Sequence, residues 1–226
     1  MVDPLRHLDV FKPYGFGDKR IDVVGCGATG SRIALSLAKL GISNIHIWDF
    51  DSVEEHNIAN QAFSIKDIGR AKVEALAEII LEHTGTEVTV HNERVDGTQV
   101  LGEIVFLLTD TMASRKEIWE KALRLKIGTR LVIETRMGAD SGRIYSINPC
   151  RPSHINGWVS TLCDDNEAEV SACGATISVG PTAEIVSGMA VWQLIRWYSI
   201  TEGKEDTPDE EIVFSLRPTV IITNKY

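Results

Sequence analysis

Long apolar runs, paired cysteines and basic patches are all missing from this chain of 226 residues. The longest apolar stretches, such as Ile104 to Leu108, are strand-sized, well short of the roughly 20 residues a membrane span needs. No Lys/Arg cluster exceeds two residues, and the formal net charge is -9 with a pI near 5.2. An acidic balance without a basic stripe argues against nucleic acid or a membrane surface as partner. The four cysteines, Cys26, Cys150, Cys163 and Cys173, form no C-x-x-C pair, which argues against a zinc ribbon. Residues 1–19 carry charges and prolines and no apolar core of a signal peptide. The expected compartment is therefore the reducing cytoplasm, where disulfides are disfavoured.

The sequence does hold an ordinary globular composition, 43% hydrophobic and 24% charged, with length enough for a sizeable core. Residues 1–19 read as an irregular N-terminal arm with Pro4, Pro13, Gly15 and Gly17. From there strand-like and helix-like runs alternate. Strands are expected at 20–24, 44–49, 87–95, 103–110 and 129–136. Helices are expected at 31–40, 69–83 and 112–126. The near-continuous apolar run at 103–108 suits a parallel strand covered on both faces. This order predicts an α/β fold: a Rossmann-like, doubly wound, mostly parallel sheet.

Beyond about residue 142 the pattern changes. A strand at 142–148, a polar loop at 149–172, an apolar helix at 183–197 and a closing hairpin around Arg217-Pro218 suggest a C-terminal antiparallel extension. Trp158, Trp192 and Trp197 are expected to pack this lobe. With no linker-like boundary, 20–226 reads as a single domain with that elaboration.

The chemistry begins at Gly25-Cys-Gly-Ala-Thr-Gly30, a G-x-G-x-x-G turn between a strand and a helix. Glycines there let the backbone approach a phosphate, and the helix N-terminus supplies N–H groups and partial positive charge. Asp49 ends the next strand, where an acidic residue would hold ribose hydroxyls. Turn and acid together indicate a nucleotide without saying which one. On these two features alone an NAD-dependent oxidoreductase remains an alternative.

The following run, Asp49-Phe-Asp51-Ser-Val53-Glu-Glu-His-Asn57-Ile-Ala-Asn60-Gln61, goes beyond what a dehydrogenase needs. It resembles the D-x-D-x-V-x-x-x-N-x-x-R-Q signature of the ThiF/MoeB/HesA family, bacterial relatives of ubiquitin-activating enzymes. Gly69-Arg-Ala-Lys72-Val-Glu74 is similar to that family's G-x-x-K-[VA]-E helix start, and Leu107-Leu-Thr-Asp110 to its strand-end T-D. The resemblance covers roughly residues 20–200. It implies an adenylyltransferase that uses ATP and Mg²⁺. Its substrate would be the C-terminal carboxylate of a small ubiquitin-like or sulfur-carrier protein ending in glycine, and the enzyme would be a homodimer.

In such a site two anions must meet, so cations and fixed donors are needed. The resemblance assigns Lys72, Asp110 and Asn57 to catalysis, with Asp110 also the Mg²⁺ ligand. It assigns Gly25, Gly27, Gly30, Asp49, Asp51 and Gln61 to ATP. Each assignment has a plain counterpart: Lys72 as a solvated helix lysine, Asp110 as a helix N-cap, and Asn57 and Asn60 as turn formers. Cys173 sits where many members carry a cysteine, a candidate for thioester formation, but no neighbouring His or Lys in the sequence lowers its pKa. Asn60 stands where the family has an arginine. Arg32 or Arg70 could substitute, and Arg6 in the arm is a candidate to serve a partner subunit's site. The missing arginine also motivates a second alternative, a non-catalytic nucleotide-binding member.

Overall fold

The computed structural model describes residues 2–163, 177–204 and 206–226. The stretch expected as an irregular arm is pinned to the core. Its helical turn α1 (Pro13–Phe16) starts on a proline, and Phe11 and Phe16 are fully buried against the ring of Tyr198, at centroid distances of 5.0 and 5.6 Å.

Next, β1 (Ile21–Val24) is buried throughout, including the acid Asp22. A buried carboxylate must be paired or hydrogen-bonded. Asp22 accepts from Trp48 Nε1 at 2.7 Å and Gly102 N at 2.6 Å, and it meets Arg20 at 2.7 Å. Then follow α2 (Gly30–Lys39), β2 (Ile45–Trp48), α3 (Lys72–Thr84), β3 (Thr89–His91), β4 (Ile104–Leu107) and α4 (Met112–Ile118). The chain closes with β5 (Leu131–Met137), β6 (Ser141–Ile147), α5 (Pro152–Ser160), α6 (Gly180–Thr201), β7 (Glu211–Leu216) and β8 (Thr219–Asn224).

The strands form one eight-stranded sheet in the order β3-β2-β1-β4-β5-β6-β7-β8. Pairing is parallel from β3 to β5 and antiparallel from β5 to β8. The α/β fold with a C-terminal antiparallel extension is thus as expected. One face is covered by α2, α3 and α6, which bury Ile33, Leu37, Leu76, Val186 and Leu194 against Ile21, Ile47 and Ile133. On the other face Trp119 and Trp158 cover Val105, Leu107 and Val132. The chain leaves β1 on both sides, toward β2 and toward β4, so a crevice opens at the carboxyl ends of these two strands.

Several boundaries differ from expectation. The segment from 149 onward is not all loop: Pro152 starts α5, which buries His154, Ile155 and Trp158. The local composition looked polar, but three buried side chains on one short face suffice to dock it. Regular helix after Asp110 ends at Ile118 and widens into a π-type turn, Trp119–Leu123. The third strand is only Thr89–His91. Trp158 is buried, whereas Trp192 is 52% exposed, contrary to expectation, because it lies on the outer side of α6. No helix among the described residues is long and apolar enough to cross a membrane.

Candidate active site

A cavity of about 670 Å³ lies at the carboxyl ends of β1, β2, β4 and β5. The glycine turn forms one wall, for distinct reasons at each position. Gly25 has φ 99°, and a Cβ there would sit 2.7 Å from Leu108 O. A Cβ at Gly27 would meet nothing within 4 Å, so its backbone faces open space in the cavity lining. Gly30 is outside the lining; a Cβ there would fall 1.8 Å from Gly25 O. Gly30 therefore serves close helix–strand packing, the part that the third glycine plays in such a turn. No side chain caps the start of α2, so that helix end can receive an anion.

Asp49 is almost fully buried at the end of β2. Its two oxygens accept from Cys26 N at 2.6 Å and Asp51 N at 2.9 Å. Burial raises its pKa above the usual aspartate value, and these N–H bonds work in the opposite direction. Lys72 opens α3 with a buried side chain, so it is not a solvated lysine. Its Nζ donates to Asp51 Oδ2 at 2.9 Å, and its backbone N–H donates to Asp51 O at 2.9 Å. The Asp51 side chain is half exposed.

Asn57 is a turn former as well as a lining residue. Its Oδ1 accepts Glu54 N at 2.9 Å in a reciprocal capping box, which leaves its NH₂ group available to donate. Gln61 and Asn60 also line the cavity. Asp110 sits exposed at the rim; Thr111, not Asp110, caps α4, accepting Ser114 N at 3.2 Å.

The arginine candidates separate clearly. Arg70 is held by Glu78 at 2.5 Å and Asp67 at 3.2 Å. Arg32 stands behind the wall, donating to Asn60 O at 2.7 Å and Ala28 O at 3.2 Å. Arg6 is exposed and outside the lining. Cys173 lies outside the described residues.

A further arginine, Arg115, lines the cavity and was not anticipated. It pairs with the fully buried Glu134 at 3.1 Å. A glutamate inside a strand expected to be buried was the available signal, since such a charge demands a partner.

Five buried polar atoms without a hydrogen-bond partner belong to lining residues: Asn60 Oδ1, Gln61 Oε1, Thr109 Oγ1, Arg115 Nε and Ser178 Oγ. Orphaned polar groups concentrated in one place fit a polar ligand. The described residues contain no gathered group of three or more His, Cys, Asp or Glu. Mg²⁺ would be held here by a lone carboxylate such as the exposed Asp110 at the rim, which suits an ion that takes few protein ligands.

Comparison with known proteins places this geometry in context. The model of the ThiF family matches residues 16–215. The sulfur carrier protein ThiS adenylyltransferase of Escherichia coli (strain K12) is 26% identical over 202 residues, covering 86% of this chain and 76% of that protein. The NEDD8-activating enzyme E1 catalytic subunit of Dictyostelium discoideum is 36% identical over 80 residues, 34% of this chain but only 18% of that longer protein. Among solved structures, E. coli MccB with ATP aligns at TM-score 0.70 and 16% identity, covering 94% of this chain and 65% of that one. PaaA aligns at TM-score 0.72 and 18% identity, covering 98% and 69%. At such identities the structural likeness shows the fold alone.

Proposed function

Because the chain belongs to the ThiF family, we propose that it uses ATP to adenylylate the C-terminal carboxylate of a small ubiquitin-like or sulfur-carrier protein ending in glycine. One observation carries this reading. The glycine turn, Asp49, Lys72 and Asp110 surround a single cavity, and Lys72 is held there by an aspartate that is half exposed and replaceable.

The nucleotide's phosphates lie against Gly25, Gly27 and the α2 N-terminus. Asp49 accepts from ribose hydroxyls. Lys72 exchanges Asp51 for the phosphates as a compact point charge. Asn57 and Gln61 add neutral donors. A carboxylate oxygen of the acyl substrate attacks the α-phosphorus; the bond to the bridging oxygen breaks, and pyrophosphate leaves with that electron pair. No proton needs to move, so the protein's work is positioning and charge stabilisation. Mg²⁺ held by Asp110 would neutralise charge on the phosphate oxygens. The reading includes a cytoplasmic homodimer in which the exposed Arg6 serves the partner's cavity.

The test is exchange of labelled pyrophosphate into ATP with a panel of small carrier proteins ending in glycine. Lys72→Ala and Asp110→Ala should both lose exchange; undiminished exchange in both would refute the assigned roles.

A second reading rests on Asn60, which puts an amide rather than a cation on the wall. It holds that the chain binds nucleotide without turnover. ATP binding with no exchange toward any carrier, and exchange gained by Asn60→Arg, would favour it.

A further inference from the structure

At the cavity wall formed by Arg115, two arginines converge on one carboxylate, and neither has a role in the chemistry proposed above. Glu134 is fully buried. Its oxygens take Arg115 Nη1 at 3.1 Å, Arg136 Nε at 3.1 and 3.0 Å, and Trp158 Nε1 at 3.1 Å. With so many donors the carboxylate has no latitude to move.

Arg115 reaches back from α4 to the strand ends. The ladder between β4 and β5 stops at Leu107↔Glu134. Past that point Arg115 Nη2 bridges the two strands, donating to Thr109 O at 2.5 Å and Thr135 O at 3.1 Å. Only a planar fork can hold two carbonyls with one nitrogen and a carboxylate with the other. Thr109 immediately precedes Asp110. On the far side Arg136 donates to Thr161 O at 2.7 Å and Thr161 Oγ1 at 3.0 Å, just past α5.

We infer that Arg115 is a positioning residue that locks the strand end carrying Asp110, with Glu134 as its fixed counterion and Arg136 anchoring the pair to the end of α5. The lock is a property of the fold; only its consequence for turnover rests on the adenylylation reading. Arg115→Met suits the test, because Glu134 keeps Arg136 and Trp158 as partners and no charge is stranded.

Hydrogen exchange followed by mass spectrometry should show the amides of 108–114 exchanging at least about tenfold faster in Arg115→Met, with β1 and α6 unchanged. Pyrophosphate exchange with a glycine-ending carrier should drop at least about 30-fold in kcat in the same variant. Arg115→Lys keeps the charge but lacks the fork, so it should not restore protection. Should the methionine variant fail to fold, the lysine variant decides alone. Unchanged protection at 108–114, loss spread over the whole sheet, or full protection in Arg115→Lys would overturn the assignment. Local loss of protection in a protein whose wild type exchanges pyrophosphate with no carrier leaves the lock standing and removes the adenylylation reading.

Discussion

The cavity has two cation-bearing walls, built in contrasting ways. On the β2 side Lys72 is paired with Asp51, whose side chain is 50% exposed. On the β5 side Arg115 is paired with Glu134, and these side chains are 8% and 0% exposed. In the first pair Lys72 is 10% exposed, but water reaches Asp51 and screens the attraction. A buried pair is costly to break from one side, because the survivor is stranded in a medium that solvates it poorly. One wall can therefore exchange its counterion for a phosphate, while the other holds its shape. A polyanion site needs both: a charge free to change partner and a frame that stays put.

Removing one member of each pair should separate the walls most sharply. Glu134→Ala leaves Arg115 and Arg136 facing each other without a carboxylate. Denaturant unfolding should show a loss of about 3–5 kcal/mol; a loss below about 1 kcal/mol would mean that the two walls do not differ.

Lys72→Ala is expected to do the reverse. Pyrophosphate exchange should fall about 10²–10³-fold, while stability changes by less than about 1 kcal/mol. Parallel kinetics and unfolding on the same sample check this.

A smaller effect is expected from Asp51→Asn. The fold should lose less than about 1 kcal/mol, a difference that shrinks further with added salt. A large, salt-insensitive loss would show that the pair is as fixed as the buried one.

The pH dependence is the subtlest sign. Burial raises the Asp49 pKa, so the folded state resists its ionisation. A raised carboxylate stabilises the fold below its unfolded pKa, and that contribution is lost as pH rises through the folded value. ATP binding should move the other way if ionised Asp49 accepts ribose hydroxyls. Affinity should weaken as pH falls into a range above that of an ordinary aspartate. Calorimetric titrations over a pH series should show this trend in the wild type and its disappearance in Asp49→Asn.

The Lys72 wall was legible in the sequence and the Arg115 wall was not, for a physical reason. Gly25 to Gly30, Asp49 and the run to Lys72 carry their meaning in short-range spacing: a turn that needs glycine, an acid closing a strand, a lysine opening a helix. The second wall is assembled from three elements. Arg115 lies on α4, Glu134 on β5 and Trp158 on α5, and only folding joins them. Glu134 inside a buried strand signalled that a partner existed, not which one. Helix α5 was hidden for a related reason: its buried face has few residues, set in a polar stretch. Gly30 belongs with the legible part, since the third glycine of such a turn is the one that lets helix and strand pack closely, and a Cβ there would fall 1.8 Å from Gly25 O.

The most direct test of the account is intact-mass spectrometry of a glycine-ending carrier protein after incubation with ATP, Mg²⁺ and this enzyme. The wild type should leave an AMP adduct on the carrier's C-terminus, and Lys72→Ala should leave none. An adduct formed equally by both proteins would contradict the account.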